Sequence, residues 1–143
     1  MNKQVDFFNL RVYALILEKD MILLSKELIK NKITIKFPGG GVELGEGIKD
    51  ALQRESIEEL GQKLTNIEHY YTTDYFQHSF FNPKDQLISI YYKASLSSSL
   101  VCSDIQQPLK DQPVFFWKKI NTIKSADLHF PIDRFVLDLL QKQ

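Results

Sequence analysis

Residues 37–62, FPGGGVELGEGIKDALQRESIEELGQ, constrain this chain more than any other stretch. Pro38 and three consecutive glycines, Gly39, Gly40 and Gly41, open it with a backbone almost free of side chains. A turn at Gly45-Glu46-Gly47 leads into a helical run over residues 48–60, and Gly61 is placed to end that run as a left-handed cap. At helical spacing Ile48, Leu52, Glu55 and Glu59 share one face. A stripe that begins apolar therefore continues as carboxylates, with Glu58 beside it. Ile57 and Leu60 lie on other sides, so the helix is expected to pack on more than one surface.

Two unit charges about 6 Å apart repel by roughly 3 kcal/mol at an effective dielectric of 20. Carboxylates clustered beside a core-facing stripe need a compensating charge, or they keep their protons. A divalent cation supplies that charge, and oxygen-only ligands suit hard metals such as magnesium or manganese. Taken alone, the helix also reads as a solvated face on which Arg54 and Glu58 form an i,i+4 ion pair. The glycine entrance shifts the balance. Bare backbone next to carboxylates is what the close approach of a phosphate and its metal requires.

The stretch resembles the Nudix box, G-x5-E-x7-R-E-U-x-E-E-x-G-U, where U is a bulky aliphatic residue. Gly40 matches the first glycine, Glu46 the isolated glutamate, Arg54-Glu55 the R-E pair, Glu58-Glu59 the E-E pair and Gly61 the last glycine. Ser56 and Gln62 stand where the family has aliphatic residues. The resemblance implies a metal-dependent pyrophosphohydrolase that uses Mg2+ or Mn2+. Glu55, Glu58, Glu59 and the Gly40 carbonyl would be metal ligands, and Arg54 and Glu46 an orienting salt bridge. Gly39, Gly40 and Gly41 would form the substrate-binding loop, and Glu55 or Glu58 the general base. The implied substrate is a small nucleoside diphosphate derivative: a nucleotide sugar, a dinucleoside polyphosphate or a (d)NTP. A non-catalytic nucleotide sensor or partner-binding module of the same fold is the alternative.

Markers of a single substrate are absent. ADP-ribose relatives often carry a proline about fifteen residues past the box, but Phe76-Gln77 occupies that region and Pro83 lies further on. Tyr75 falls too early to match the tyrosine of dinucleoside polyphosphate hydrolases, and no coenzyme A motif is present. Breadth of substrate is therefore expected. MutT-like relatives often draw another glutamate from the loop before the last strand, whereas Glu68 is the last glutamate here. That loop offers only Asp104 and Asp111, so the box carboxylates are favoured as the source of the base.

At 143 residues the chain suits one domain over its whole length. Eighteen basic and 18 acidic residues cancel, which leaves no electrostatic footprint for nucleic acid or a membrane surface. Cys102 is the only cysteine, so an internal disulfide and a cysteine-rich zinc site are both excluded. With no signal-like start or spanning apolar run, a cytoplasmic location is expected, and a homodimer is open as an assembly.

Residues 12–17 and 21–24 are apolar runs that predict a hairpin, and 26–32 read as a basic loop. Residues 33–37 alternate as a strand leading into the glycines. Residues 69–81 are dense in Tyr, Phe and Thr and predict a strand, followed by a turn at 82–85 and a strand at 86–96. A long surface loop spans 97–113, and a short strand spans 114–119. Pro131 opens a last helix with Ile132, Val136, Leu139 and Leu140 on its apolar face. Strands, helix, strands, helix excludes a doubly wound parallel sheet. The order agrees with the α+β Nudix fold, an α/β/α sandwich in which a mixed sheet and a smaller antiparallel sheet lie between helices. Tyr13, Tyr75 and Phe76 are candidates to stack on a base, while Trp117 and the three histidines read as structural.

Overall fold

The computed structural model describes residues 4–100, 102 and 107–143. Strand β1 (Phe7–Glu18) runs through the centre, parallel to β6 (Asp85–Leu96) over ten paired positions. Antiparallel β5 (Leu64–Thr72) borders β6 on its far side, and β4 (Gly39–Gly41) pairs antiparallel with β1 on the other. The end of β1 turns through Lys19-Asp20 into β2 (Met21–Ile29). Strand β2 lies between β3 (Lys32–Lys36) and β7 (Val114–Lys119) in a smaller antiparallel sheet.

Helices cover both faces of the mixed sheet because β1 alternates. Val12, Ala14 and Ile16 pack with Ala51, Leu52 and Leu60 of α1 (Ile48–Leu60). Tyr13 and Leu15 point the other way, onto Ile132, Val136, Leu137 and Leu140 of α2 (Pro131–Gln141). This is the expected sandwich. Gly61 ends α1 with φ of 73°, as its spacing predicted. On α2, Leu137 and Asp133 are buried and Leu139 is only half-buried, so the inner face is turned slightly from the expected one.

Two segments depart from expectation. Residues 26–29 continue β2 where a basic loop was predicted, and only Lys30 and Asn31, with φ of 51° and 62°, form the turn. The cause is that β2 is flanked on both sides, so Lys26 pairs with both Ile35 and Val114 while its ammonium lies over Phe116. The aromatic run also behaves differently: β5 starts at Leu64 and stops at Thr72. Beyond it the hydroxyl of Thr73 donates to the Ser89 carbonyl at 3.1 Å and accepts from the Ser89 N–H at 3.0 Å. A side chain thus takes a backbone position and the ladder ends, apart from a lone bridge between His78 and Gln86. Freed from the sheet, Phe80 and Phe81 pack on Phe130 at the entrance to α2, and Tyr75 packs on Phe135. Among the described residues no helix is long and apolar enough to cross a membrane.

Gly39 is where the backbone tolerates nothing else. Its φ is 150°, and an added Cβ would lie 2.1 Å from the Val12 carbonyl oxygen and 2.8 Å from the Tyr13 Cα. Because those atoms are backbone, Gly39→Ala is expected to destabilise the protein by about 3 kcal/mol or more. The urea midpoint measures this, and an unchanged midpoint would refute the close approach.

Candidate active site

The strand β3 delivers the chain to the glycines with its polar side inward. Thr34 and Lys36 are buried and Ile33 is exposed, the reverse of an ordinary half-buried strand. The Lys36 ammonium, 1% exposed, bonds Glu27 at 2.7 Å and the carbonyls of Phe37 and Gly39 at 3.0 and 3.3 Å. Burial works against its charge, but Glu27, Tyr13 and Glu59 outweigh that and hold its pKa above the usual lysine value.

Arg54 organises the opposite side. Its Nε donates to Glu46 Oε2 at 2.6 Å and its Nη2 to Glu46 Oε1 at 3.0 Å, a bidentate pair. The same Nη2 donates to the Gly41 carbonyl at 2.9 Å, while Nη1 reaches Glu55 at 3.0 Å and Glu58 at 3.4 Å. Glu46 also accepts the Glu43 N–H, and the two sets of bonds, Arg54 first, hold its pKa below the carboxylate range. One guanidinium therefore ties the glycine strand, the following turn and helix α1 together.

Of the box carboxylates, Glu55 and Glu59 come together and Glu58 stands apart, exposed. Glu59 shares a hydrogen bond with Glu55. Burial, first, then Glu27 and Glu55, push its carboxyl up to about 8 against the pull of Lys36. Glu55 presses on the glycine strand so closely that a Cβ at Gly40 would lie 2.5 Å from its Oε1. No three His, Cys, Asp or Glu side chains among the described residues are gathered in ligating geometry. The donor chemistry nonetheless fits a hard cation, since two carboxylates in hydrogen-bond contact need a proton or a cation between them. Asp111 lies exposed at the tip of a tight turn with φ of 59°, and Asp104 lies outside the described residues.

Ser56 and Gln62, the departures from the motif, explain one another. The buried Ser56 hydroxyl donates to the Gln62 carbonyl at 2.7 Å. The Gln62 amide oxygen in turn accepts from the backbone N–H groups of Ser97 and Ser98, both at 2.9 Å. Hydrogen bonds replace the expected apolar packing and leave a void of about 10 Å3 beside Ser56, Leu52 and Leu64. That is room for about one water.

On the α2 face lies a larger cavity of about 110 Å3, walled by Tyr13, Phe80, Phe81, Leu87 and Phe130. At its floor the Tyr91 hydroxyl donates to Asp133, which also accepts the Phe37 N–H at 3.2 Å. Of the aromatic residues singled out in the sequence, Tyr13 lines this cavity, whereas Tyr75 packs on Phe135 and Phe76 stands edge-on to His78. Asp133, Lys36, Glu27 and the phenylalanine pair went unnoticed in the sequence. A lysine in an alternating strand and an aspartate in a first helical turn are ordinary there.

Asp133 carries a pH prediction. It is fully buried, and burial, opposed by Tyr91 and Lys36, raises its pKa from 3.8 to about 6. The folded state then binds the proton more tightly than the unfolded chain. Its contribution is fully present below about pH 4 and is lost as pH rises through about 6, a change of about 3 kcal/mol. Asp133→Asn lacks this proton, so the stability difference between wild type and variant should shift by that amount against wild type from pH 4 to 7. Denaturant melts at both pH values test it, and a difference independent of pH would contradict it.

A carboxylate-bearing helix is thus bonded to a glycine strand within a mixed sheet that lies between two helices. The NUDIX domain model matches residues 8–131, and the chain belongs to that family of hydrolases. No curated protein matches the sequence. Among solved structures, the Escherichia coli ORF135 protein is 20% identical with a TM-score of 0.73, covering 96% of this chain and 91% of that one. A NUDIX hydrolase from Nitrosomonas europaea is 23% identical with a TM-score of 0.71, covering 95% and 91%. A MutT structure from work on Aliivibrio salmonicida and Vibrio cholerae is 22% identical with a TM-score of 0.69, covering 96% and 99%. At these identities the likeness is one of fold.

Proposed function

We propose that this chain is a single-domain, divalent-metal-dependent pyrophosphohydrolase acting on a nucleoside diphosphate linked to another moiety. The observation that carries the reading is the Glu55–Glu59 pair, one carboxyl raised to about 8 and the other pressed against Gly40. Glu55 and Glu59 are the inner ligands, Glu58 is the exposed third carboxylate, and the Gly40 carbonyl is a neutral donor. When bound, Mg2+ or Mn2+ neutralises the pyrophosphate oxygens and lowers the pKa of the attacking water.

The chain's own groups do the rest. Arg54 and Glu46 hold the glycine strand and helix α1 at fixed separation. Glu55 or Glu58 accepts the proton of the water that attacks phosphorus, and the exposure of Asp111 at its turn favours these box carboxylates. A P–O bond of the anhydride breaks as the water oxygen bonds to phosphorus. The products are a nucleoside monophosphate and the phosphorylated partner, or pyrophosphate from a triphosphate. The aromatic walls of the 110 Å3 cavity offer stacking surfaces for the base.

A panel of ADP-sugars, GDP-sugars, dinucleoside polyphosphates and dNTPs, each with magnesium in 18O-water, tests the reaction. Label is expected in one phosphate product of at least one substrate, and the spread of rates measures breadth. Nucleotide binding with no turnover of any member would instead favour a non-catalytic sensor.

A further inference from the structure

Arg11 is a half-buried cation that the reaction so far leaves without a task. Its Nε donates to the Tyr13 hydroxyl at 2.7 Å, and its Cζ stands 4.2 Å from the centre of the Phe81 ring. Among the described residues, neither Nη1 nor Nη2 makes a hydrogen bond and no carboxylate lies within 4.0 Å. Yet the guanidinium is held in place, by a hydrogen bond along one edge and a ring beneath it. It also sits in the combined field of Glu27 and Glu55. A fixed, half-buried fork with two nitrogens that bond no protein group is suited to take up an anion.

The register shows which anion could. Arg11, Val12 and Tyr13 stand opposite Gly41, Gly40 and Gly39, and directly opposed residues share a face of the sheet. Gly40 therefore faces Glu55, while Gly41 faces Arg11, whose Nη1 would lie 3.6 Å from an added Cβ. The carboxylates are thus on the α1 face, and the aromatic cavity, walled by Tyr13 and Phe81, is on the α2 face. A molecule that occupies both must cross β4, whose outer edge pairs with no further strand among the described residues and whose Gly39 and Gly41 carbonyls accept from Lys36 and Arg54. Three glycines put no side chain of their own at that crossing, and Arg11 stands on its cavity side.

Resting on the reading of the site as one for nucleoside diphosphate derivatives, we propose that Arg11 binds the phosphate that joins the group in the cavity to the scissile anhydride. Its two free nitrogens take two oxygens of that phosphate as the substrate passes over Gly41. The residue is then a specificity determinant. It selects ligands with a phosphate attached directly to the nucleoside, and Tyr13 serves as its positioning residue through the hydroxyl that fixes Nε.

The test needs no metal and no turnover. Four nucleoside monophosphates and their parent nucleosides are titrated in EDTA, followed by 15N-resolved signals of the Arg11 Nε–H and of backbone amides around the cavity. A monophosphate is expected to bind at least tenfold more tightly than its nucleoside and to move the Arg11 Nε–H signal, which the nucleoside leaves in place. Arg11→Met should bring the two affinities within threefold while the nucleoside's own affinity holds within twofold. Arg11→Lys should keep part of the preference, and Tyr13→Phe should reduce it. A monophosphate that moves the cavity amides and not Arg11 overturns the proposal without any variant. So does an Arg11→Met protein that keeps its tenfold preference, or that loses nucleoside and nucleotide alike. If no nucleoside or monophosphate moves the cavity amides at all, the nucleotide reading fails and takes this assignment with it.

Discussion

Glu59→Gln is expected to lower kcat by a thousandfold or more, about 4 kcal/mol of barrier, with the fold unchanged. The two halves of that expectation have separate physical grounds. Burial raises the Glu59 carboxyl to about 8, so at pH 7 without metal it is mostly protonated, and an amide of the same shape replaces a neutral group. Near neutral pH the variant should therefore be at least as stable as wild type. The sign of the pH dependence follows. A carboxyl raised by folding favours the native state below its unfolded pKa, and that advantage is lost as pH rises through about 8. The variant should lack that decline. Activity is another matter, because an amide cannot supply the charge that a divalent ion and a pyrophosphate require. Turnover within threefold of wild type at saturating magnesium would remove Glu59 from the site.

Gly40→Ala separates the site from the scaffold more cleanly. An added Cβ would lie 2.5 Å from Glu55 Oε1, 2.6 Å from its Cδ and 2.8 Å from Oε2. Those atoms end a flexible side chain, so the carboxylate can swing away at a small penalty in stability. The neighbouring Gly39 differs, since its added Cβ would meet backbone. Gly40→Ala is accordingly expected to melt within a few degrees of wild type while kcat falls a hundredfold or more, as Glu55 is driven off the glycine strand. If Gly40→Ala keeps wild-type turnover, the contact between Glu55 and Gly40 has no part in the chemistry.

The contrast between these glycines shows how far the sequence could be read. The helix was legible from local spacing, a 3.6-residue period and a left-handed cap. The family resemblance implied the Arg54–Glu46 bridge, whereas the glycines expected as a loop form strand β4. Local pattern, in apolar and aromatic runs as well as period, placed the last helix and most strands. It could not show which side of β3 faces inward, since that depends on Glu27 of the neighbouring strand meeting Lys36 across the pair. Nor could it foresee that Thr73 would end β5 by bonding Ser89, sixteen residues on, and so release Phe80 and Phe81 to wall the cavity. The carboxylate set was legible as a group but not in its internal order. Only the packing of α1 against Gly40 and Lys36 makes Glu55 and Glu59 the inner pair and leaves Glu58 in solvent. Residues whose meaning comes from partners distant in sequence, Asp133 and Arg11 among them, carried no local mark.

On the proposed function α1 holds a divalent cation against the glycine strand, and Mn2+ binding reports on it without any assumption about substrate. Free Mn2+ is followed by its paramagnetic signal in titrations of wild type, Glu59→Gln and an exposed control, Asp138→Asn, at pH 7.5. Wild type and control are expected to bind with equal affinity, and Glu59→Gln at least thirtyfold more weakly, about 2 kcal/mol. Equal Mn2+ affinity in all three proteins, or no binding by wild type at millimolar concentration, would rule out a cation held by Glu59.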